Sequence, residues 1–136
     1  NDRILQFEYA YLSIQEKLIT GYGLDKYAYI DKSLVPMYLK DKIIGAHNGY
    51  LSILAQYGIL FGSVILFLIF RKSFQAYSYF KNKISFERVY FFIIFYTLIA
   101  SIYESLMTGI NDFSTILFWF SLSILSYSMF LKENES

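Results

Sequence analysis

Apolar residues gather in three long runs in the second part of the chain. The first run covers residues 49–70 and the third covers residues 114–131, and neither contains a charged side chain. The second run, residues 89–108, contains a single one, Glu104. A helix rises about 1.5 Å per residue, so each run is long enough, the third only just, to cross a hydrocarbon core of about 30 Å. We therefore expect three transmembrane helices, because so short a chain has too little polar surface to cover three buried ones.

The segment between the first two runs is strongly basic. Residues 71–88 contain five Lys and Arg residues against one acidic residue, whereas residues 109–113 contain no basic residue. Short cytoplasmic loops of membrane proteins are enriched in Lys and Arg. The sequence therefore predicts a multi-pass protein of the cell (cytoplasmic) membrane with a cytoplasmic connector at 71–88 and a cytoplasmic C terminus. Residues 1–48 then form an extracytoplasmic loop; its six basic residues are matched by six acidic ones.

The beginning of this loop has the periodicity of an α-helix. Asn1 or Asp2 can cap the helix, which we expect to run to about Ile19, and the segment from Thr20 to Gly23 stops it because glycine accepts a left-handed conformation. Apolar side chains repeat every three or four positions and form one stripe, which suits a helix lying flat on the outer leaflet or against other helices. The stripe consists of Ile4, Phe7, Tyr11, Ile14 and Leu18. Residues 24–45 lack this periodicity, and we expect them to form an ordered but irregular segment with short helical turns, which we call the irregular cover.

Composition supports a membrane protein. Hydrophobic residues make up 56% of the 136 residues, and the mean hydropathy is +0.40. The net charge of +1 gives no reason to expect a nucleic-acid partner. Since the chain has no cysteine and one histidine, it has no Cys-based or zinc-binding motif, and we expect no cofactor. Because it starts at Asn1 without a signal peptide, we interpret it as the C-terminal fragment of an all-α, polytopic integral membrane protein.

Four short segments, in the order in which they occur, resemble a known family. They are a helix beginning with Arg3 and Phe7, the segment Gly21-Tyr22-Gly23-Leu24, the segment His47-Asn48-Gly49-Tyr50-Leu51, and the segment Ile102-Tyr103-Glu104-Ser105. Together they are similar to the O-antigen ligase and O-antigen polymerase family of bacterial envelope glycan assembly. One departure is Gly62, which lies one residue later than the commonest family spacing after the His-Asn signature. Gly58 and Gly62 then form a small-xxx-small pair that can serve helix packing.

This resemblance implies a function. Such enzymes are all-helical glycosyltransferases that move an oligosaccharide from a polyprenyl diphosphate carrier to a sugar acceptor outside the membrane, as a polymerase or as a ligase, without a metal ion. The resemblance also implies the lipid bilayer, and proteins of glycan export and chain-length control, as partners.

The implied reaction needs cationic groups for the diphosphate and a base for the acceptor hydroxyl. Arg3 is our candidate for the diphosphate, because guanidinium binds phosphate oxygens in a fork; a snorkelling interfacial arginine is the alternative. His47 is the candidate for acceptor activation or diphosphate contact, since imidazole gains and loses its proton near neutral pH; a helix-capping histidine is the alternative. Glu104 is expected one turn below the outer end of its helix, either in catalysis or in a structural pair with His47 or Arg3.

Further residues are predicted to bind substrate. Asn48 is expected to orient the loop or the substrate, and Gly21 and Gly23 belong to the Gly-x-Gly segment. Lys42 can attract the diphosphate or simply lie on a solvated face. Two other functions stay open at this point: a transporter or flippase component for lipid-linked glycan, a class in which broken or charged helices near the bilayer midplane are typical, and a membrane anchor for the preceding loop.

Overall fold

The computed structural model describes residues 2–23, 37, 47–81, 86–109 and 112–134, and every regular element in these ranges is an α-helix. The helices are α1 (Asp2–Glu16), α2 (Gly49–Phe80), α3 (Arg88–Ala100) and α4 (Phe113–Asn134). The all-helical prediction is thereby confirmed. The predicted irregular cover, including Lys42, lies almost entirely outside the described residues.

Helix α1 ends three residues earlier than expected, and it packs against α2 alone among the helices. Its buried side is formed by Ala10, Ser13 and Ile14. The hydroxyl of Ser13 donates to the carbonyl of Tyr9 at 2.9 Å, so its burial leaves no unpaired hydroxyl. The other members of the predicted apolar stripe, Ile4, Phe7, Tyr11 and Leu18, are exposed.

Helix α2 is broken at Gly58, where φ is 73° and ψ is 170°. The rings of Tyr50 and Phe70 stack with their centroids 5.9 Å apart, although twenty residues of straight helix would separate them by about 30 Å. A Cβ atom on Gly62 would lie 3.1 Å from the carbonyl oxygen of Ile53. The first arm of α2 (residues 49–57) is therefore folded back along its second arm (residues 59–80). The expectation of one continuous helix over 49–70 is wrong.

The broken end of α2 is closed by residues 18–23, which we call the clasp. In a continuous helix the carbonyl of Ala55 would accept from the amide of Ile59. Instead, that carbonyl accepts from the amide of Tyr22 at 2.9 Å, and the Ile59 amide donates to the carbonyl of Leu18 at 2.7 Å. The carbonyl of Gln56 accepts from the Gly23 amide at 2.8 Å. The backbone groups that the break releases are thus paired within the protein, as burial requires.

The ends of α2 and α3 also differ from the predicted ones. Residues 71–80, which we expected in a connector, continue α2, because Arg and Lys are good helix formers and the segment has no Gly or Pro. Helix α3 stops at Ala100 rather than near residue 108. Helix α4 includes the whole predicted run of residues 114–131.

The second arm of α2, α3 and α4 form one packed group. Helix α3 packs most closely on α4, and Tyr77 of the second arm stacks on Phe91 of α3. The core between the helices is apolar and includes the fully buried side chains of Ile94, Phe118 and Leu125. One cleft is lined by residues around the start of the second arm and by the start of α4. Another is lined by the end of the second arm and by the end of α4. The second arm and α4 therefore run in the same direction, with α3 opposite to them.

Two helices, α2 and α4, are long and apolar enough to cross a membrane, whereas α3 is a shorter apolar helix of 13 residues. In each of the two, only 33% of the most apolar window is buried within the structure. A core helix of a soluble protein would be covered over most of such a window. By length and composition, a third spanning helix is not found among the described residues.

The clasp predicts a large difference between two glycine substitutions. In Gly58→Ala the new Cβ would lie 2.1 Å from the carbonyl oxygen of Ile19, at a backbone conformation that L residues rarely adopt. We expect a loss of at least about 2 kcal/mol of unfolding free energy. Gly23→Ala is the matched control, because φ is also positive, at 77°, but nothing lies within 4 Å of the added atom. It should cost about 1 kcal/mol.

Chemical denaturation of the protein in detergent measures both free energies. Equal losses in the two variants would contradict the close packing of the clasp against Gly58.

Candidate active site

The structure brings together two of the predicted catalytic residues. His47 lies just before α2, Glu104 lies four residues after the end of α3, and Nδ1 of His47 is 3.5 Å from Oε2 of Glu104. Both side chains are about half exposed, at 52% and 54%. An exposed pair of this kind contributes at most about 1 kcal/mol to stability, so the fold does not depend on it.

Asn48 fixes the position of His47. It is the N-cap of α2, and its Oδ1 accepts from the Leu51 amide at 2.9 Å. Its Nδ2 donates to the carbonyl of Ile102 at 2.8 Å, and the amide of Gly49 donates to the carbonyl of Ser101 at 2.7 Å. Asn48 is only 8% exposed. It therefore connects the start of α2 to the end of α3, and its predicted part in orienting the substrate stays a prediction.

The same hydrogen bonds explain why α3 ends early. In a longer helix the carbonyls of Ser101 and Ile102 would accept from amides four residues further along. They accept from the start of α2 instead, and residues 101–104 form turns. The expectation that Glu104 lies inside a helix is wrong. It lies in this turn segment, exposed and beside His47.

Arg3, on α1, contacts the residue that precedes Glu104. Its Cζ atom lies 5.5 Å from the centroid of the Tyr103 ring, in a cation–π contact. Tyr103 is the immediate neighbour of Glu104, and both Arg3 and Tyr103 are exposed. Of the three predicted catalytic residues, His47 and Glu104 are thus in contact, and Arg3 contacts the residue that precedes Glu104. We call Arg3, His47, Tyr103 and Glu104 the candidate site.

The backbone of His47 is held in an unusual conformation. Its φ of 40° is the only positive value of a residue other than glycine among the described residues. Non-glycine residues adopt such angles at a cost of about 1 kcal/mol or more, and these residues cluster at functional sites. The conformation directs the chain into the N-cap at Asn48 and leaves the imidazole outside the helix, next to Glu104.

The chemical consequence of the pair lies in the tautomer of His47. A carboxylate beside Nδ1 favours the tautomer in which Nδ1 carries the proton, which leaves Nε2 as the basic nitrogen. The 3.5 Å separation exceeds that of a strong N–H···O bond, and catalytic hydrogen bonds often shorten only when substrate binds. Arg3 adds a cation that can contact an anionic substrate. The arrangement can therefore hold an anion and remove a proton from a hydroxyl.

Gly21 and Gly23 lie elsewhere. Both belong to the clasp at Gly58, at the far end of the first arm, about 13 Å along the helix axis from Gly49. A Cβ on Gly21 would lie 2.3 Å from the carbonyl oxygen of Gln56. Their observed contacts are structural, and their predicted part in substrate binding stays a prediction. Lys42, the remaining predicted binding residue, is outside the described residues.

The sequence did not indicate the contacts of three residues in this region, Ser52, Ser105 and Tyr103. The hydroxyls of Ser52 and Ser105 are 3.1 Å apart and join the first turn of α2 to the segment after Glu104. Ser52 lies four residues after Asn48 and therefore on the same helix face, and this spacing could have indicated that both side chains contact the same segment. Tyr103 was noted within a motif but not as a partner for Arg3.

No group of three or more His, Asp or Glu side chains suited to a metal ion occurs in the described part of the chain. In comparisons with known proteins, no family model, curated protein or solved structure matches this chain. The O-antigen resemblance stays a prediction, and the geometry of the candidate site carries the functional argument.

Asn48→Asp tests the connection between α2 and α3. The change keeps an oxygen for the Leu51 amide but removes the donor to Ile102 and places a carboxylate against that carbonyl. We expect a loss of about 1–3 kcal/mol in unfolding free energy. Asn134→Asp is the matched control, since Nδ2 of Asn134 also donates to a backbone carbonyl, of Phe130, at 2.9 Å, but on the surface. Its change should stay within about 0.5 kcal/mol. Similar losses in both variants would argue against the connection.

His47→Gly and His47→Ala separate strain from side-chain chemistry. Both remove the imidazole, but only glycine accepts a positive φ without strain. The free energy of unfolding of the glycine variant should therefore be about 1 kcal/mol higher than that of the alanine variant. Thermal unfolding in detergent measures the difference. A less stable glycine variant would show that His47 does not hold its positive φ in the folded protein.

Proposed function

We propose that this chain is part of a polytopic membrane glycosyltransferase that moves an oligosaccharide from a polyprenyl diphosphate carrier to a sugar acceptor outside the membrane. It acts as a polymerase or ligase of the O-antigen type, for surface glycan, capsule or exopolysaccharide. The observation that carries the proposal is the contact of His47 with Glu104. These two residues are 57 positions apart in the sequence, and Arg3 contacts the ring of Tyr103, the residue before Glu104.

Each residue has a role that fits this transfer. Glu104 orients His47, and Nε2 of His47 accepts the proton of the acceptor hydroxyl as the hydroxyl attacks the anomeric carbon. The bond from that carbon to the diphosphate oxygen breaks, and the diphosphate leaves on its lipid carrier. Arg3 stabilises the negative charge that develops on the leaving diphosphate. None of these steps needs a further reactant.

The membrane part of the proposal rests on exposed apolar surface and on two buried hydroxyls that are paired within their own helices. Large apolar side chains are exposed along both the second arm and α4, for example Phe67, Phe74, Phe120 and Phe130. Such a surface is unusual on a soluble monomer and is expected in contact with lipid. Within the helices, the buried hydroxyls of Ser73 and Ser121 donate to carbonyls of their own helix at 2.8 and 2.7 Å. This pairing meets the requirement for internal hydrogen bonds in a bilayer.

The transporter or flippase alternative gains one observation from the structure, the broken helix α2. Transporters use broken helices because the released backbone groups coordinate substrate. At Gly58, however, the carbonyls of Ala55 and Gln56 and the amide of Ile59 are already bonded to the clasp. These backbone groups are therefore not free to coordinate a substrate, which favours the enzyme over the transporter.

Substitution of the candidate site tests the enzyme. In the intact protein, His47→Ala should lower polymer or ligation yield from purified lipid-linked repeat units by about 10²–10⁴-fold, the usual contribution of a general base. Glu104→Gln should lower it less, and the double variant should be no worse than His47→Ala, because residues that act as a unit are not additive. Surface glycan from cells carrying the variants, separated on a gel, gives a second readout.

Glu8→Gln is the control, since Glu8 is an exposed carboxylate of α1 outside the candidate site. It should leave the yield unchanged. Full activity of His47→Ala at normal protein levels would remove His47 from the mechanism. Movement of the lipid-linked glycan across vesicles without any new glycosidic bond would replace the enzyme with the transporter.

A further inference from the structure

A second cleft lies between the end of the second arm and the end of α4, and none of the candidate-site residues lines it. Its volume is about 690 Å³, within the range of roughly 300–1,000 Å³ that small-ligand sites have. Arg71 and Lys72 stand at its edge, and both are exposed. We call this the basic cleft.

The two cations of the basic cleft have no counter-charge among the residues that the structure describes. No acidic side chain lines the cleft, and neither Arg71 nor Lys72 has an ion-pair partner within the described ranges. The lining also includes the polar side chains of Gln75, Ser78 and Ser126, which can donate hydrogen bonds. Cations and neutral donors together favour an anion with several oxygens, such as a phosphodiester.

Apolar side chains form the other part of the cleft wall. Phe74 and Phe130 also line the cleft and are 63% and 62% exposed, and Met129 lies buried at its floor. An anion bound here therefore lies beside apolar surface that has no cover within the described structure. A soluble phosphate would leave the two phenylalanine rings in water, whereas a lipid covers them with its acyl chains while its phosphate meets the cations.

From this combination of charge and apolar walls we propose that the basic cleft binds the headgroup of an acidic phospholipid. Arg71 and Lys72 contact the phosphodiester, and Phe74 and Phe130 contact the acyl chains. The site is independent of the proposed glycosyl transfer, because none of its residues belongs to the candidate site.

Lipid-dependent thermal stability tests the proposal. Titration of the purified full chain, in a neutral detergent, with phosphatidylglycerol should raise Tm above the value in phosphatidylcholine, because a ligand that binds the folded state stabilises it. Arg71→Gln combined with Lys72→Gln should raise the half-maximal lipid concentration about 25-fold, at roughly fivefold for each basic residue. Since both side chains are exposed, Tm in phosphatidylcholine should stay that of the unmodified protein.

Two further variants distinguish a site from general charge. Lys81→Gln removes an exposed lysine beyond the same helix but outside the cleft, and it should keep the response to phosphatidylglycerol. Ser126→Leu fills the cleft while both cations remain, and it should lose the response. The proposal is overturned by a protein that does not respond to phosphatidylglycerol, by a response kept in the double variant, by an equal loss in Lys81→Gln, or by an equal rise in Tm with glycerol 3-phosphate alone.

Discussion

The hydrogen bonds between the clasp and the break at Gly58 are the interaction on which the remaining structure depends. A helix that stops in an apolar region leaves carbonyls and amides without partners, and each costs about 1–3 kcal/mol when it is buried. Three such groups find partners in residues 18–23. Because they do, α2 can reverse its direction, and the first arm can lie against the second. Without the clasp, a straight helix would carry His47 far from Phe70 and from the end of α3.

The reversal has a second consequence at the other end of the first arm. It brings Asn48 and Gly49 to the end of α3, where they take over the carbonyls of Ser101 and Ile102. Helix α3 therefore stops, and the chain enters turns that present Tyr103 and Glu104. The candidate site is in this sense a product of two helix terminations, one at Gly58 and one at Ala100. Each is stabilised by hydrogen bonds to a part of the chain that is distant in sequence.

This origin explains which parts of the fold the sequence could predict. Helix α4 follows from a long apolar run, and the start of α1 follows from its periodicity, since both depend on neighbouring residues alone. The break in α2 was not predicted, because glycine is tolerated within helices, and what makes Gly58 a break is the clasp 35 or more residues earlier. The extension to Phe80 was missed because basic residues were interpreted as a sign of a connector. Charge locates a membrane boundary, but it does not end a helix.

The candidate site shows the same division. His47, Arg3 and Glu104 were identified from residue type and resemblance, and a contact between His47 and Glu104 was among the expectations. Gly21 and Gly23 were assigned to substrate from the same resemblance, but their contacts belong to the clasp. A short glycine motif does not distinguish a backbone that approaches a ligand from one that approaches another helix, since both need the absence of a Cβ atom. In this protein the Gly-x-Gly segment contacts the broken end of α2 and holds the break that places His47, so it contributes to the candidate site through the fold.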